Sequence, residues 1–409
     1  MIDFFTPAFE DFGNVFVLAA WIIVPVFLFA LWWELRLHDK RMRFLGGMTW
    51  NMLEIRIPRD NLKTPKSMEQ VFAALYGAYS FGVSWIARYL EGKVDVWFSF
   101  EMVGRDGGVH FYVRTPSQFR HLVESAIYSQ YPDAELEEVA DYVYEMPARL
   151  PNDTYDLWGT GLMLTKDSVY PIRTYHYFED PKEERRVDPI AAITEAMSKL
   201  EGDEMIWVQL LISPVGAATG VDLKKQAEEE VKKIIDEKSS KRLTMEGEEI
   251  SIGLVGLSEG WRTVIKEIEN KASRLAFQTT LRFVYIDRKD SFSPLNVAAV
   301  MGSFQQFNTL NLNAIKSDKL VTKVSGWRGK LFPFYRKVKL LSKKRRIYGY
   351  YRARRFGFTN RLRQERTLPV FNIEELATLF HFPASVVKAP KLRAVMSRKG
   401  EPPENLPVE

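Results

Sequence analysis

Gly13-Asn-Val-Phe-Val-Leu-Ala-Ala-Trp-Ile-Ile-Val-Pro-Val-Phe-Leu-Phe-Ala-Leu-Trp-Trp33 runs for 21 residues without a charge. Wound as a helix it reaches about 30 Å, the thickness of a bilayer's hydrocarbon core. No second run of this kind occurs in the 409-residue chain. The expectation is a single membrane anchor followed by a large soluble body. Trp21 and Pro25 lie within the run, and Trp32 and Trp33 close it at the position of an interfacial aromatic belt. A proline in mid-span is tolerated in lipid.

Flanking charge gives the expected direction. Asp3, Glu10 and Asp11 precede the run with no Lys or Arg, whereas Arg36, Lys40, Arg41 and Arg43 follow it. Basic residues beside a span are retained in the cytoplasm, so the N-terminus is expected outside and the body inside. A cleaved signal peptide needs a basic start, a shorter apolar core and a small-residue cleavage site. The acidic start, the length of the run and Trp32-Trp33-Glu34 at its end all argue against one.

The chain has no cysteine, which excludes disulfides, thiolate metal sites and a cysteine nucleophile. Its length suits two to three domains. The net charge of +5 conceals an uneven distribution. Residues 316–366 hold 18 Lys or Arg against Asp318 and Glu365, a net +16, and the rest of the chain carries −11.

Beyond the anchor, Leu53, Ile55 and Ile57 alternate with Glu54 and Arg56 as a half-buried strand. Met68, Val71, Phe72 and Leu75 share a helical face. Val94 to Phe100 and Val109 to Val113 alternate as strands around Gly104-Arg-Asp-Gly-Gly108, with His110 facing outward. Phe119, Leu122, Val123, Ala126 and Ile127 form a second helical face, and Ala134 to Tyr144 returns as a strand. The order is αββαβ. It recurs with a helix at Ile190–Leu200, strands at Met205–Ile212 and Thr279–Ile286, a helix at Pro294–Phe307 and a strand at Leu310–Ile315. Between the second pair of strands, Leu223, Ala227, Val231, Ile234 and Ile235, then Trp261, Val264, Ile265, Ile268, Ala272 and Leu275, mark a helical hairpin.

The predicted class is α+β: one transmembrane helix, then two tandem ferredoxin-like αββαβ units, the second with the hairpin inserted. The expected divisions are an anchor at 1–43, a first unit at 44–150 and a second at 151–315 with the insertion at about 214–276. A basic aromatic arm at 316–366 and a tail at 367–409 follow.

Catalytic patterns are missing. Gly326-Trp-Arg-Gly329-Lys330-Leu331 has too few residues between its glycines and no hydroxyl for a phosphate loop. Gly159-Thr-Gly161 lacks a third glycine and reads as a turn. His38, His110, His121, His176 and His381 have no metal-ligand spacing, and Glu137, Glu138 and Asp141 suit a solvated edge. No nucleophile, base and oxyanion donor come together, so neither an enzyme nor a cofactor is expected.

Several stretches together resemble a family of bacterial membrane proteins related to conjugation and type IV secretion ATPases. They are Trp50-Asn-Met-Leu-Glu-Ile-Arg-Ile-Pro-Arg59, Tyr170-Pro-Ile-Arg-Thr-Tyr175, Asp188-Pro-Ile, Trp207-Val-Gln and Asn311-Leu-Asn, together with Glu374-Glu-Leu-Ala-Thr-Leu-Phe-His-Phe-Pro383 and Pro402-Pro-Glu-Asn-Leu-Pro407. The resemblance implies a bacterial inner-membrane module whose tail leads toward a P-loop ATPase, with three alternatives open: an ATPase on a separate chain, a sequence cut short of it, or a descendant with a purely structural role. It makes a non-catalytic scaffold the first expectation, with an ATPase or other secretion-machine subunits as partners and homo-oligomerisation left open.

A membrane-tethered nucleic-acid-binding module is the alternative. Lys343, Lys344, Arg345, Arg346, Arg352, Arg354 and Arg355 are the candidate contacts for lipid or single-stranded DNA. An acidic protein surface would satisfy the same charges. Glu374, Glu375, Phe380, His381 and Phe382 are the candidate partner contacts in the tail.

Overall fold

The computed structural model describes residues 6–58, 61–179, 187–216, 219, 221–239, 241–243, 249–251, 256–324, 331–356 and 368–383. The end of the tail, from 384, and the Gly326–Leu331 loop up to 330 lie outside the described residues. Two compact units result: Met1–Thr49 with Gly82–Asp95, and Trp50–Phe81 with Val96–Glu409.

The first unit is built on α1 (Thr6–Gly46), a 41-residue helix that carries Pro25 within it. Its stretch from Trp21 is long and apolar enough to cross a membrane. Trp21 and Trp32 are exposed, Trp33 is half-buried, and both Trp32 and Trp33 lie against the Phe29 ring. The helix runs past the expected limit at residue 43, because Lys40, Arg41 and Arg43 are good helix formers and Gly46-Gly47 is the first break.

The second unit is a mixed α/β body around one large antiparallel sheet. In chain order its first half is β1 (Trp50–Arg56), α2 (Pro65–Leu75), β2 (Phe98–Arg105), β3 (Gly108–Pro116), α3 (Arg120–Gln130) and β4 (Glu135–Glu138). Its second half is β5 (Tyr155–Leu164), α4 (Ala191–Ser198), β6 (Met205–Pro214), β9 (Ala276–Arg288), α7 (Pro294–Ser303) and β10 (Ile315–Ser317). Between β6 and β9 come α5 (Leu223–Lys238), a small ribbon of β7 (Lys241–Leu243) and β8 (Glu249–Ser251), and α6 (Glu259–Ala272). The chain closes with α8 (Pro333–Arg352), β11 (Val370–Asn372) and α9 (Ile373–Leu379).

The strands lie in the order β10-β5-β9-β6-β2-β3-β1-β4, and β11 adds to the end of β9. The two halves share one sheet because β2 pairs with β6, Glu101 opposite Gln209. Alternation then gives each strand two buried faces. On one, Phe98, Phe100, Phe111, Val208, Leu210, Leu281 and Phe283 pack with α2, α3, α4 and α9. On the other, Val103, Tyr112, Trp207, Val284 and Ile286 pack with Ile347, Tyr348 and Tyr351 of α8 and with the 142–150 segment.

Several expectations change. Gly159 and Gly161 are not in a turn but in β5, the first strand of the second half. A Cβ at Gly161 would stand 2.2 Å from Asp318 Oδ2, and one at Gly159 would press on Ile347 at 3.3 Å. The glycines are there because other segments pass close by. The strand expected at Leu310–Ile315 begins only at Ile315, after an exposed Leu310. The strand expected to end at Tyr144 stops at Glu138, and Asp141 then accepts from the Val143 amide to start a turn. The insertion does form a helical pair, α5 against α6, through Leu223, Ala227, Ile234, Val264, Ile265 and Ile268. Within the arm and the tail, α8, β11 and α9 are parts of the sheet body.

His110 is also buried rather than outward. Its Nδ1 lies 2.8 Å from Glu54 Oε1, and Arg56 donates to the other oxygen at 2.5 Å. The His110 hydrogen bond, with Arg56 against the effect of burial, holds the Glu54 carboxyl at about 2. A depressed carboxyl contributes stability above its unfolded value near 4.5 and loses it as pH falls toward about 2. The shift corresponds to about 3 kcal/mol. In Glu54→Gln, thermal unfolding of the full chain in detergent should therefore be less stable at neutral pH and flatter between pH 4.5 and 2 than in the parent.

Candidate functional site

The basic helix α8 starts at Pro333, whose fixed φ suits a first helical position. Its two ends have different surroundings. Ile347, Tyr348 and Tyr351 are buried on the sheet. Lys344 meets Asp156 at 2.6 Å, and Lys343 donates to the Val321 and Lys323 carbonyls at 3.0 Å. Arg352 donates to the Pro147 carbonyl at 2.7 Å, and Arg355 stacks over Tyr350 at 5.0 Å. By contrast, the turns from Pro333 to Lys339 are exposed throughout, as are Arg345 and Arg346. Leu331, Phe332, Phe334, Tyr335 and Val338 lie exposed there beside Arg336, Lys337 and Lys339.

Arg354, just past the helix, is the most deeply held cation among the described residues of the arm, 1% exposed. Its backbone sits in the left-handed region at φ 43, where glycine is usual after a helix. That conformation turns the side chain into the sheet. Nε and Nη2 donate to the two oxygens of Glu101 at 2.8 and 3.0 Å, and Nη1 and Nη2 reach Asp141 at 2.5 and 2.8 Å. Tyr142 donates to Glu101 Oε2 at 2.6 Å and lies 2.8 Å from the Tyr351 hydroxyl. Ser99 also donates to Glu101.

The network continues sideways along the sheet. Gln209 Nε2 donates to Glu101 Oε1 at 3.0 Å and to the Tyr351 carbonyl at 3.1 Å, while its Oε1 accepts from Arg282 Nη1 at 2.9 Å. Arg282 then donates to the Arg355 carbonyl. Glu101, Gln209, Arg282 and Gly161 are register neighbours on four adjacent strands. Burial would raise the Glu101 carboxyl, but the Arg354 charge and hydrogen bonds outweigh it and hold it below its ordinary value. Burial pulls the Arg282 guanidinium down to about 10. These groups bond one another, so the arrangement is chemically a clamp between helix and sheet. Among the described residues no cluster of three His, Asp or Glu could hold a metal ion.

The family model described as Domain of unknown function (DUF8128) matches residues 38–391, which includes every element of the clamp. The chain belongs to this family. No curated protein matches it. A solved structure of GilR with pregilvocarcin, described as an oxidoreductase that catalyzes the terminal step of gilvocarcin biosynthesis, is similar at 6% identity and a TM-score of 0.27. The match covers 63% of this DUF8128 chain and 42% of that one, less than half of its length, and carries no argument about chemistry.

The candidate partner contacts in the tail prove to be interior. Phe380 and Phe382 pack their ring edges against Phe111, and Phe380 also meets Phe100. Both ring nitrogens of His381 face acceptors, the Ala377 carbonyl at 2.7 Å and Asp188 at 2.9 Å. Glu375 makes a capping box with Asn372, accepts from the Ile172 amide at 2.9 Å and pairs with the buried Lys271 at 2.8 Å. Glu374 is half-buried and bonded to Arg274 at 3.0 Å. Apolar rings and satisfied charges have drawn Glu375, Phe380, His381 and Phe382 inward, where they hold α9 in place, and Glu374 stays half-buried.

Of the seven cations singled out in the arm, Arg345 and Arg346 are the exposed ones, and Arg354 belongs to the clamp. Sequence reasoning missed Glu101, Gln209 and Arg282. The available signal was a large polar residue flanked on both sides by apolar ones in each strand, Phe100-Glu101-Met102, Val208-Gln209-Leu210 and Leu281-Arg282-Phe283, which demands partners once buried. Removing one side of a buried pair costs about 3–5 kcal/mol. Arg354→Met should lower thermal stability by that order, and adding Glu101→Gln should restore a measurable part. Equal and additive losses would show that the two side chains do not act as a pair.

Proposed function

We propose that this DUF8128 protein is a non-catalytic, membrane-anchored scaffold that positions a partner ATPase in a type IV secretion- or conjugation-like machine. It would sit in the bacterial inner membrane with its N-terminus outside and its body in the cytoplasm. The observation that carries the proposal is the contrast along α8. Its C-terminal half is locked into the sheet, whereas its first turns leave Phe334 and Val338 uncovered beside Arg336 and Lys337. Charges buried in the body are engaged in holding its own elements together. The secretion-machine context comes from the sequence resemblance.

Each half of the sheet places its strands fourth, first, third, second across the surface, with helices after the first and third. This order supports two ferredoxin-like units fused edge to edge. An antiparallel frame of that kind is a rigid platform, and a rigid platform suits positioning better than chemistry at a cleft. The partner fitted to the uncovered turns of α8 has an acidic rim and apolar pockets for Phe334 and Val338. Aromatic anchors beside basic residues are typical of such contacts.

The test is purification of the full chain from native membranes. A P-loop ATPase should accompany the parent and be lost from a Phe334→Ser, Lys337→Glu variant whose thermal unfolding is unchanged. Repeated recovery of the parent without any ATPase would overturn the scaffold. The same exposed mixture of rings and cations favours a second function, single-stranded DNA binding. Salt-dependent binding by the parent, weakened by Arg345→Ala and Arg346→Ala, would select it instead.

A further inference from the structure

Gly82–Asp95 leaves the sheet body and belongs to the unit built on α1. Within it Ser84 opens a helical segment, whose Arg88 amide bonds the Ser84 carbonyl at 2.9 Å. A π-helical turn, Ala87–Glu91, ends at Gly92 in the left-handed region at φ 77. Gly92 lies directly against α1: a Cβ there would meet Lys40 Cβ at 2.7 Å and the Arg41 amide at 3.0 Å. Beside it, Lys40 Nζ donates to the Leu90 carbonyl at 2.5 Å.

This contact fixes a depth. Lys40 follows Trp33, the last residue of the uncharged run, by seven positions, or about 10 Å of helix. With the run spanning the hydrocarbon, that contact stands at the outer edge of the headgroup layer, which is about 5–7 Å deep on each side. The segment leaves Trp85, Ile86 and Leu90 exposed, by 68%, 59% and 45%. The Tyr89 ring stands 5.3 Å from that of Trp85. The local charges pair with one another, Arg88 with Asp95 at 2.7 Å and Lys93 with Glu91 at 2.8 Å.

We propose that Ser84–Leu90 is an interfacial collar, with Trp85, Ile86 and Leu90 inserted at the boundary between phospholipid headgroups and acyl chains. Trp and Tyr favour that boundary, and a short helical element can lie in it with its apolar side down. The occupant is lipid because the exposed side chains are apolar, belong to a segment packed on α1 just beyond its apolar run, and stand among segment charges that pair with one another. For the same reason zwitterionic lipid suffices. The collar adds to Trp32 and Trp33 a second anchor that sets the depth and tilt of α1. The proposal rests on α1 being a membrane span.

The absence of cysteine allows clean single-site labels. Full chains carrying a spin label at Trp85→Cys, Ile86→Cys or Leu90→Cys are reconstituted in phosphatidylcholine vesicles, with Val26→Cys and Glu201→Cys as references. Labels at 85, 86 and 90 should lose collisions with an aqueous nickel chelate and gain collisions with oxygen, unlike Glu201→Cys, and high salt should not reverse this. A lipid-buried label at Val26 with water-exposed labels at 85, 86 and 90 would overturn the collar and leave the anchor standing. A water-exposed label at Val26 would overturn both.

Discussion

A guanidinium without water has to be paired, and the place where Arg354 finds its partner organises the body. Glu101 lies on β2 at the seam between the two halves of the sheet, opposite Gln209 of β6. Arg354 arrives from the end of α8, and Asp141 and Tyr142 arrive from the segment after β4. One carboxylate therefore ties together both halves, the helix that covers them and the loop beside it. Replacing a buried ion pair with apolar groups is often neutral or stabilising, so its net energy does not explain it. Its geometry does: bidentate pairing is met at one register of helix on sheet, and a slip of one turn would strand the charge.

The register set by the clamp decides what the remainder of the basic arm can do. With Tyr348 and Tyr351 against the sheet and Lys344 on Asp156, α8 passes over β5 closely enough to require Gly159. At this end Lys344 and Arg354 are paired with carboxylates of the body, while Arg345 and Arg346 stay exposed. The first turns of α8 are outward as well, and no acidic residue occurs between Leu331 and Arg352. The charge asymmetry along the chain thus has two uses, one internal and one facing solvent, and a count of residues merges them.

Much of the fold was legible because alternation and helical spacing are local. Leu53 and Ile55, the Met68–Leu75 face and the helices of the insertion all reveal themselves within a few residues. What failed was decided by distant segments. Gly159-Thr-Gly161 looks like a turn until Asp318 and Ile347 are brought against it. Phe380-His381-Phe382 looks like a partner motif because nothing nearby in sequence shows that Phe100 and Phe111 await those rings. The clamp was hidden for the same reason: Glu101, Gln209 and Arg282 are each isolated along the chain, and only strand pairing makes them neighbours.

The two halves use one strand order but diverge in their loops. Between its first helix and second strand, the first half carries residues 76–97, which include the segment packed on α1, whereas the second half needs only 199–204 there. Between its second and third strands the first half makes a tight turn at Asp106-Gly107, and the second half inserts α5 and α6. Lengthening a loop costs little, about 0.6 kcal/mol for each doubling, provided the strand ends stay in place. The sheet can therefore keep its register while opposite halves acquire different attachments. A frame that tolerates insertion at its edges and a clamp that fixes its centre are complementary requirements: the clamp sets the register of α8 across the seam, alongside α4, which packs on β2 and β3, and the β11–α9 segment, which pairs with β9 and packs on α2.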